Sequence, residues 1–511
     1  MTPSIPAPLD AHTMTNFADS AEPAGTPAAA PTRTGADADA LWNRPAIDLA
    51  AGIRAREFTA VEVAEAFLGR IEAVNPVVNA LVDIRPDEVL AQAHAADRAV
   101  AAGGPLGPLH GVPTATKINT SQRGYASSHG IPAWSGLVAS EDAACVAALR
   151  EAGAVLLGRS NSPAFAVRWF TRNDLHGRTL NPWDHGRTPG GSSGGAAAAL
   201  AAGMVPIAQG NDIGGSIRYP AYCCGAVGIR PTVGLVSAWE PAGEVEFDSP
   251  MSFQTMAVHG PMAWTVADLR AAMHVMATPD LRDPVGIPTL LPKGAAAGPV
   301  TVAVVRDVGI AKPQPAVNAA IDTASRVLAE AGYRVEEVEL PLLAEAARLW
   351  SLLLFEELRT MLPEIERFGD AGVRDSLAST FRAAAAIWGE QPDLATYIRG
   401  YARRGTLVTR LQEYLGGDRI LLTPVSAEPP LEQDADLVGD ARMREVVAAQ
   451  WPLQAVPVLG FPALAVPTGV ADGLPSGVQL IGGRFREDLL LDAAAAIEAR
   501  TPRVRPAILP A

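Results

Sequence analysis

The sequence predicts an α/β fold, and three observations predict it. Residues 141–158 read as a helix followed by a buried strand, and residues 300–340 read as strand, helix, strand. Between them, the glycine-rich stretch 188–237 holds a short alanine helix running into a further strand. Strands returned to one sheet by helical crossovers give this alternation. At 511 residues and 48% apolar content the chain can bury a large core, and large α/β enzymes form one continuous unit even where length suggests about three domains.

Taken in order, residues 1–39 are rich in Ala, Pro, Thr and Gly, with no basic leader and no long apolar run. This predicts a disordered tail and neither a signal peptide nor a membrane anchor. Thr59-Ala60-Val61-Glu62 fits a capping box, after which Val63, Phe67 and Ile71 share one helix face until about Asn75-Pro76. A second helix is expected from about Asp87 to Ala101, ended by Gly103, and Val112 to Ile118 reads as a short strand. Gly153 caps the helix 141–152, and Ala154 to Leu157 form the strand that follows. Asn161-Ser162-Pro163 lies just past that strand, where open α/β sheets place ligands. Downstream, Val300 to Val305, Pro315 to Ala331 and Tyr333 to Leu340 form a second unit. Residues 342–415 read as a helical insertion covering one side of the site and carrying substrate choice. Ile420 to Pro424, Leu464 to Pro467 and Gly477 to Ile481 read as further strands, before a closing helix at about 487–499.

Composition excludes several function classes. A net charge of −14 without a basic patch argues against nucleic acid. No window offers about 18 apolar residues without charge or proline, so no membrane span is expected. Cys145, Cys223 and Cys224 are odd in number and lack metal-ligand spacing, which suits a reducing, cytoplasmic compartment. Eight scattered histidines predict no metal site, and no cofactor is expected.

Chemistry concentrates in the stretch 188–237. Ser192 and Ser193 sit between paired glycines 190–191 and 194–195, and Ser216 follows Gly214 and Gly215. Paired glycines allow positive φ and close approach, so each serine belongs to a shaped, reachable loop. Ala196 to Ala202, stopped by Gly203, reads as a short buried helix, and Val205 to Ala208 as the returning strand. A path out along a helix and back along a strand lets the two serine loops meet.

Lys117 stands out because only three of the 41 basic residues are lysines, the others being Lys293 and Lys312. Where charge alone is wanted this chain uses Arg. A lysine among small and apolar residues suggests an amine that must lose its proton, which arginine cannot do. A buried stem with its head in water remains the alternative on this segment alone.

Gly190 to Gly195, Asp212-Ile213-Gly214-Gly215-Ser216-Ile217-Arg218 with Pro220-Ala221, and Gly228 to Thr232 resemble the signature of the amidase signature family. The resemblance runs from about Ile47 to Ala499 and includes Gly111-Val112-Pro113, Gly158 to Pro163 and Gly473 to Gln479. It implies a single α/β/α domain with a mixed central sheet over residues 40–511, a signature core at about 105–275, and a Ser, cis-Ser, Lys triad. On the matching positions Ser216 becomes the nucleophile, Ser192 the bridging serine after a non-proline cis peptide, and Lys117 the base. A neutral, desolvated lysine relayed through a second hydroxyl supplies the base that serine needs.

Backbone N–H groups of Ile213, Gly214, Gly215 and Ser216 are expected to form an oxyanion hole, since minimal side chains let such donors converge. Asp212 and Arg218 would hold the turn. Ala166 and Ser192 are expected to line the substrate. Departures from the family pattern are Ile118 and Ala164 in place of polar residues, Asn211 in place of Thr, and Trp264; none is expected to touch the triad. Trp169, Phe170, Tyr222, Trp239 and Trp264 hint at an aromatic pocket, although aromatics at such spacing are more often core.

A Ser/His/Asp elbow is disfavoured because polar residues and Pro189, not a strand, precede the glycines, and a phosphate loop because alanines follow Gly195. The expectation is therefore an amidase that cleaves a small-molecule amide to an acid and ammonia or an amine through a Ser216 acyl-enzyme. The alternatives are carbamate or ester hydrolysis, and the role of the A-type component in an amidotransferase. Whether the chain is a homodimer is left open.

Overall fold

The computed structural model describes residues 41–241, 248–288, 299–502 and 505–506. The expected tail 1–39 and Lys293 lie outside the described residues. Thirteen strands are defined among the described residues: β1 (Leu81–Asp83), β2 (Pro113–Lys117), β3 (Val155–Ser160), β4 (Arg172–Asn173), β5 (Gly177–Arg178), β6 (Ile207–Asp212), β7 (Val227–Arg230), β8 (Val258–Ala263), β9 (Thr301–Val304), β10 (Arg334–Glu337), β11 (Arg419–Pro424), β12 (Ala463–Ala471) and β13 (Leu474–Ile481). Eleven of them form one mixed sheet in the order β1-β3-β2-β6-β8-β7-β12-β13-β11-β9-β10, and β4 pairs with β5 separately. Strands β3, β2 and β6 are mutually parallel, as are β11, β9 and β10, with antiparallel pairings between the two trios.

Helices flank this sheet and bury it. The helix Gly194–Ala201 packs on β6, Val266–Met276 on β8, Glu487–Glu498 on β12 and Pro315–Glu330 on β13. Every residue of β2, β3 and β8 is buried, which explains why their sequences do not alternate between apolar and polar; the large polar exceptions, Lys117, Arg159 and His259, are buried too. The alanine helix is buried on all sides, and apart from Leu200 it is built of Ala and Gly.

Local signals read in the sequence reappear as geometry. In the capping box, Thr59 Oγ1 accepts from the Glu62 N–H at 3.0 Å and Glu62 Oε2 accepts from the Thr59 N–H at 2.7 Å. The helix it opens, Ala60–Val78, runs past Pro76 instead of stopping there. Proline sits in its last turn, and Asn79 closes the helix in a left-handed conformation. The strand expected at 205–208 is instead Ile207–Asp212 and passes straight through Gly210. A Cβ at that glycine would come 2.8 Å from Ser193 Oγ, so Gly210 marks close packing and not a chain break. The insertion is helical, as Leu342–Leu358, Leu362–Phe368, Ala371–Trp388 and Leu394–Leu415.

Candidate active site

Three parallel strands deliver the site at their C-terminal ends. Lys117 is the last residue of β2, Asn161 follows β3, and Asp212 ends β6 immediately before the Ser216 loop. The two glycine-clamped loops meet: the Ser193 N–H donates to the Ser216 carbonyl at 3.2 Å, and Ser193 Oγ donates to the Asn211 carbonyl at 3.4 Å. The Gly191–Ser192 peptide is cis. A Cβ at Gly191 would lie 2.4 Å from the Arg168 carbonyl oxygen, so only glycine permits the loop to sit there.

The lysine amine is enclosed and meets two oxygens. Lys117 Nζ donates to Ser192 Oγ at 2.7 Å and to Asn211 Oδ1 at 2.6 Å, and the residue is 0% exposed. Burial pushes the amine well below the usual lysine range, and the Asp212 carboxylate only partly opposes this. Among the described residues Lys117 makes no ion pair. His259, opposite Asn211 across β6 and β8, is held down to about 4 by burial and by the nearby lysine, so it adds no second charge at neutral pH. Asn211, read in the sequence only as a departure that leaves the triad untouched, is therefore a direct partner of the amine. Its Nδ2 donates in turn to Asn119 Oδ1 at 3.1 Å, which orients the amide.

Asp212 and Arg218 brace the serine loop from below. Arg218 Nε and Nη2 reach the two carboxylate oxygens at 2.9 and 2.8 Å, and the Asp212 carbonyl accepts from Arg230 Nη1 at 2.6 Å. Burial alone would raise the Asp212 carboxyl, but the Arg218 and Arg230 guanidiniums outweigh it and hold it at about 2. Arg218 Nη1 also donates to Gln479 Oε1 at 2.6 Å, which ties the distant Gly473 to Gln479 motif to this loop.

Of the four expected oxyanion donors, one is committed elsewhere. The Gly215 N–H donates to Asp212 Oδ1 at 2.9 Å, whereas among the described residues the N–H groups of Ile213, Gly214 and Ser216 have no acceptor. Ser192 and Ser216 are 1% and 7% exposed. Ala166 stands in a left-handed conformation at the end of the turn Ala164–Ala166, between Phe165 and Val167.

The five aromatics separate. Trp169 Nε1 donates to the Gly214 carbonyl at 2.8 Å and so touches the loop. Phe170 is buried core, Tyr222 reaches the Glu428 carbonyl, Trp239 stacks under Arg282 and Trp264 under Arg505. Trp350, in the insertion, carries no local signal in the sequence, yet its Nε1 donates to the Ile213 carbonyl at 2.7 Å.

This sheet, with a buried amine at one strand end beside two glycine-seated serines, is the architecture of an amide-hydrolysing enzyme. The chain belongs to the amidase family, whose model matches residues 62–491. It is 40% identical to an indoleacetamide hydrolase of Bradyrhizobium diazoefficiens over 464 residues, covering 90% of this chain and 87% of the relative. A second indoleacetamide hydrolase, from Bradyrhizobium japonicum, is 38% identical over 395 residues, with 76% of this chain and 82% of the relative covered. Among solved structures the chain resembles a bacterial aryl acylamidase of the amidase signature family (TM-score 0.76, 27% identity, 90% and 96% covered). It also resembles 6-aminohexanoate cyclic dimer hydrolase (TM-score 0.75, 26% identity, 92% and 99% covered).

Proposed function

We propose that the chain hydrolyses a small arylacetamide, indole-3-acetamide being the first candidate, through a covalent acyl-enzyme on Ser216. The observation that carries this reading is the buried Lys117 amine, without an ion pair among the described residues, hydrogen-bonded to Ser192 in a loop bonded directly to the Ser216 backbone. The 40% identical relative supports the substrate class.

In this mechanism Ser216 Oγ attacks the amide carbonyl carbon while its proton passes to Ser192 Oγ, and the Ser192 proton passes to Lys117 Nζ. Negative charge on the carbonyl oxygen is met by the N–H groups of Ile213, Gly214 and Ser216. Lys117, now an ammonium, returns a proton through Ser192 to the leaving nitrogen. The carbon–nitrogen bond breaks, ammonia departs, and the acyl group remains on Ser216. Water then attacks the ester and gives a proton to the same relay, which returns it to Ser216 Oγ as the acyl–oxygen bond breaks and the carboxylic acid leaves. Asn211 accepts a hydrogen bond from the amine throughout, which leaves the nitrogen lone pair for the relay. Asp212 and Arg218 keep the loop in shape without exchanging protons. Ala166, in the turn after β3, is assigned to the substrate. Three free, buried cysteines suit a cytoplasmic protein.

A panel of aryl, aliphatic, amino-acid and carbamate amides, with esters alongside, measures the reading. Arylacetamide turnover lost in Ser216→Ala supports it. Turnover of esters or carbamates alone would replace the substrate class while leaving the residue roles. The amidotransferase reading conflicts with the net charge of −14 and would require turnover only with partner proteins and acylated RNA.

A further inference from the structure

Peptide-plane geometry in the Ser216 loop assigns a role to the insertion. In a trans peptide the carbonyl and the next N–H lie in one rigid plane and point in opposite directions. Trp350 Nε1 holds the Ile213 carbonyl at 2.7 Å, so the Gly214 N–H of that plane is turned away from Trp350. Trp169 Nε1 holds the next carbonyl, Gly214, at 2.8 Å, and the N–H on the far side of that plane is Gly215's, already spent on Asp212. Two indoles thus pin two consecutive planes, and only the first ends in an N–H without an acceptor among the described residues.

The indoles are themselves fixed. They stack at 6.2 Å with 22° between planes, and Phe355 meets Trp350 edge-on at 5.2 Å. Trp350 is 4% exposed, on the helix Leu342–Leu358, which packs against the helix Trp451–Leu459. A Cβ at Gly214 would lie 2.6 Å from Trp350 Cζ2, so indole and loop backbone are in contact as well as bonded.

We propose that Trp350 is a positioning residue for the hydrolytic reaction: its indole N–H locks the Ile213–Gly214 peptide so that the Gly214 N–H is already aimed when charge forms on the substrate oxygen. This rests on the Ser216 acyl-enzyme reading. It also means that the insertion expected to carry substrate choice holds part of the catalytic loop.

The test compares wild type with Trp350→Phe, and with 3-benzothienylalanine at 350, which keeps the ring shape and lacks the N–H. First, a fluorophosphonate is used to label wild type, and the modified peptide is identified by mass. An adduct at Ser216 is expected; its absence overturns the nucleophile assignment and this inference together. Second, the rate of Ser216 phosphonylation and kcat for indole-3-acetamide are measured in the variants. Both are expected to fall by about tenfold or more, with KM and the acid limb of the pH profile unmoved, since binding and the lysine base are untouched. Unchanged kcat and phosphonylation in the shape-preserving variant, or a change confined to KM, would overturn the clamp while leaving the nucleophile standing.

Discussion

Asn211 Oδ1 accepts a hydrogen bond from Lys117 Nζ at 2.6 Å, so the buried amine is held by a neutral amide and not by a carboxylate. An uncharged partner orients the amine without favouring its protonated form. Asn211→Asp places an anion at that distance, which is expected to raise the lysine pKa by about 1–3 units. The acid limb of kcat/KM then moves to higher pH, while Asn211→Thr keeps an oxygen acceptor and leaves the limb in place. An unmoved limb in the aspartate variant would contradict the assignment of Lys117 as the titrating base.

Lys117→Met should be inactive and more stable. Kinetics are expected to show a loss of about 10²–10⁴-fold, the usual contribution of a positioned base. For stability the sign follows from proton uptake. The folded amine stays neutral down to its lowered pKa, whereas the unfolded lysine binds a proton below about 10.5. Between those values the unfolded state holds more protons, so burial destabilises increasingly as pH falls from 10.5. Chemical denaturation should therefore show the methionine variant gaining more stability at pH 7 than at pH 10.

Breaking the Asp212–Arg218 pair takes the nearest counterion from a buried carboxylate and leaves only Arg230, at 3.7 Å. Arg218→Met is expected to cost about 3–5 kcal/mol in urea unfolding. The Asp212 carboxyl is depressed to about 2, so its contribution is present in full above the unfolded value near 3.8 and is lost as pH falls through about 2. Acid unfolding of the variant should begin at higher pH than in wild type.

Gly214→Ala sets a methyl against Trp350 at 2.6 Å and forces either the indole or the loop to shift. Overpacking of this kind costs about 1–3 kcal/mol. Activity is expected to drop disproportionately, because the proposed mechanism uses the displaced Gly214 N–H as an oxyanion donor. A variant that retains kcat would show that the loop tolerates displacement.

Thr59→Ala serves as the remote control. It removes the Oγ1 acceptor from the Glu62 N–H and should lower stability by about 1 kcal/mol with kcat unchanged. A parallel loss of activity would mean that global softening alone explains the loop variants.

Much of the site was legible because its chemistry is local. A rare lysine among small residues and serines between paired glycines announce themselves within a few positions, and the two loops lie one helix and one strand apart. The helix cap at Thr59 and the alanine helix were legible for the same reason. What escaped depends on tertiary contact. Trp350 reads as one more apolar residue of an amphipathic helix, and its role exists only because that helix crosses the Ser216 loop 137 positions away in sequence. Asn211 looked like a tolerated substitution because nothing in the linear order places it against Lys117. Strands β7 and β8 went unmarked: short, and rich in glycine or proline, they take their conformation from neighbours on both sides.

Strand order has a bearing on biosynthesis. The last two strands, β12 and β13, are inserted between β7 and β11, and Gln479 on β13 supplies an oxygen to Arg218. A nascent chain that stops short of this hairpin has two unjoined half-sheets and a Ser216 loop that lacks the Gln479 contact to Arg218. For the same reason two fragments divided within the insertion should regain activity only when mixed.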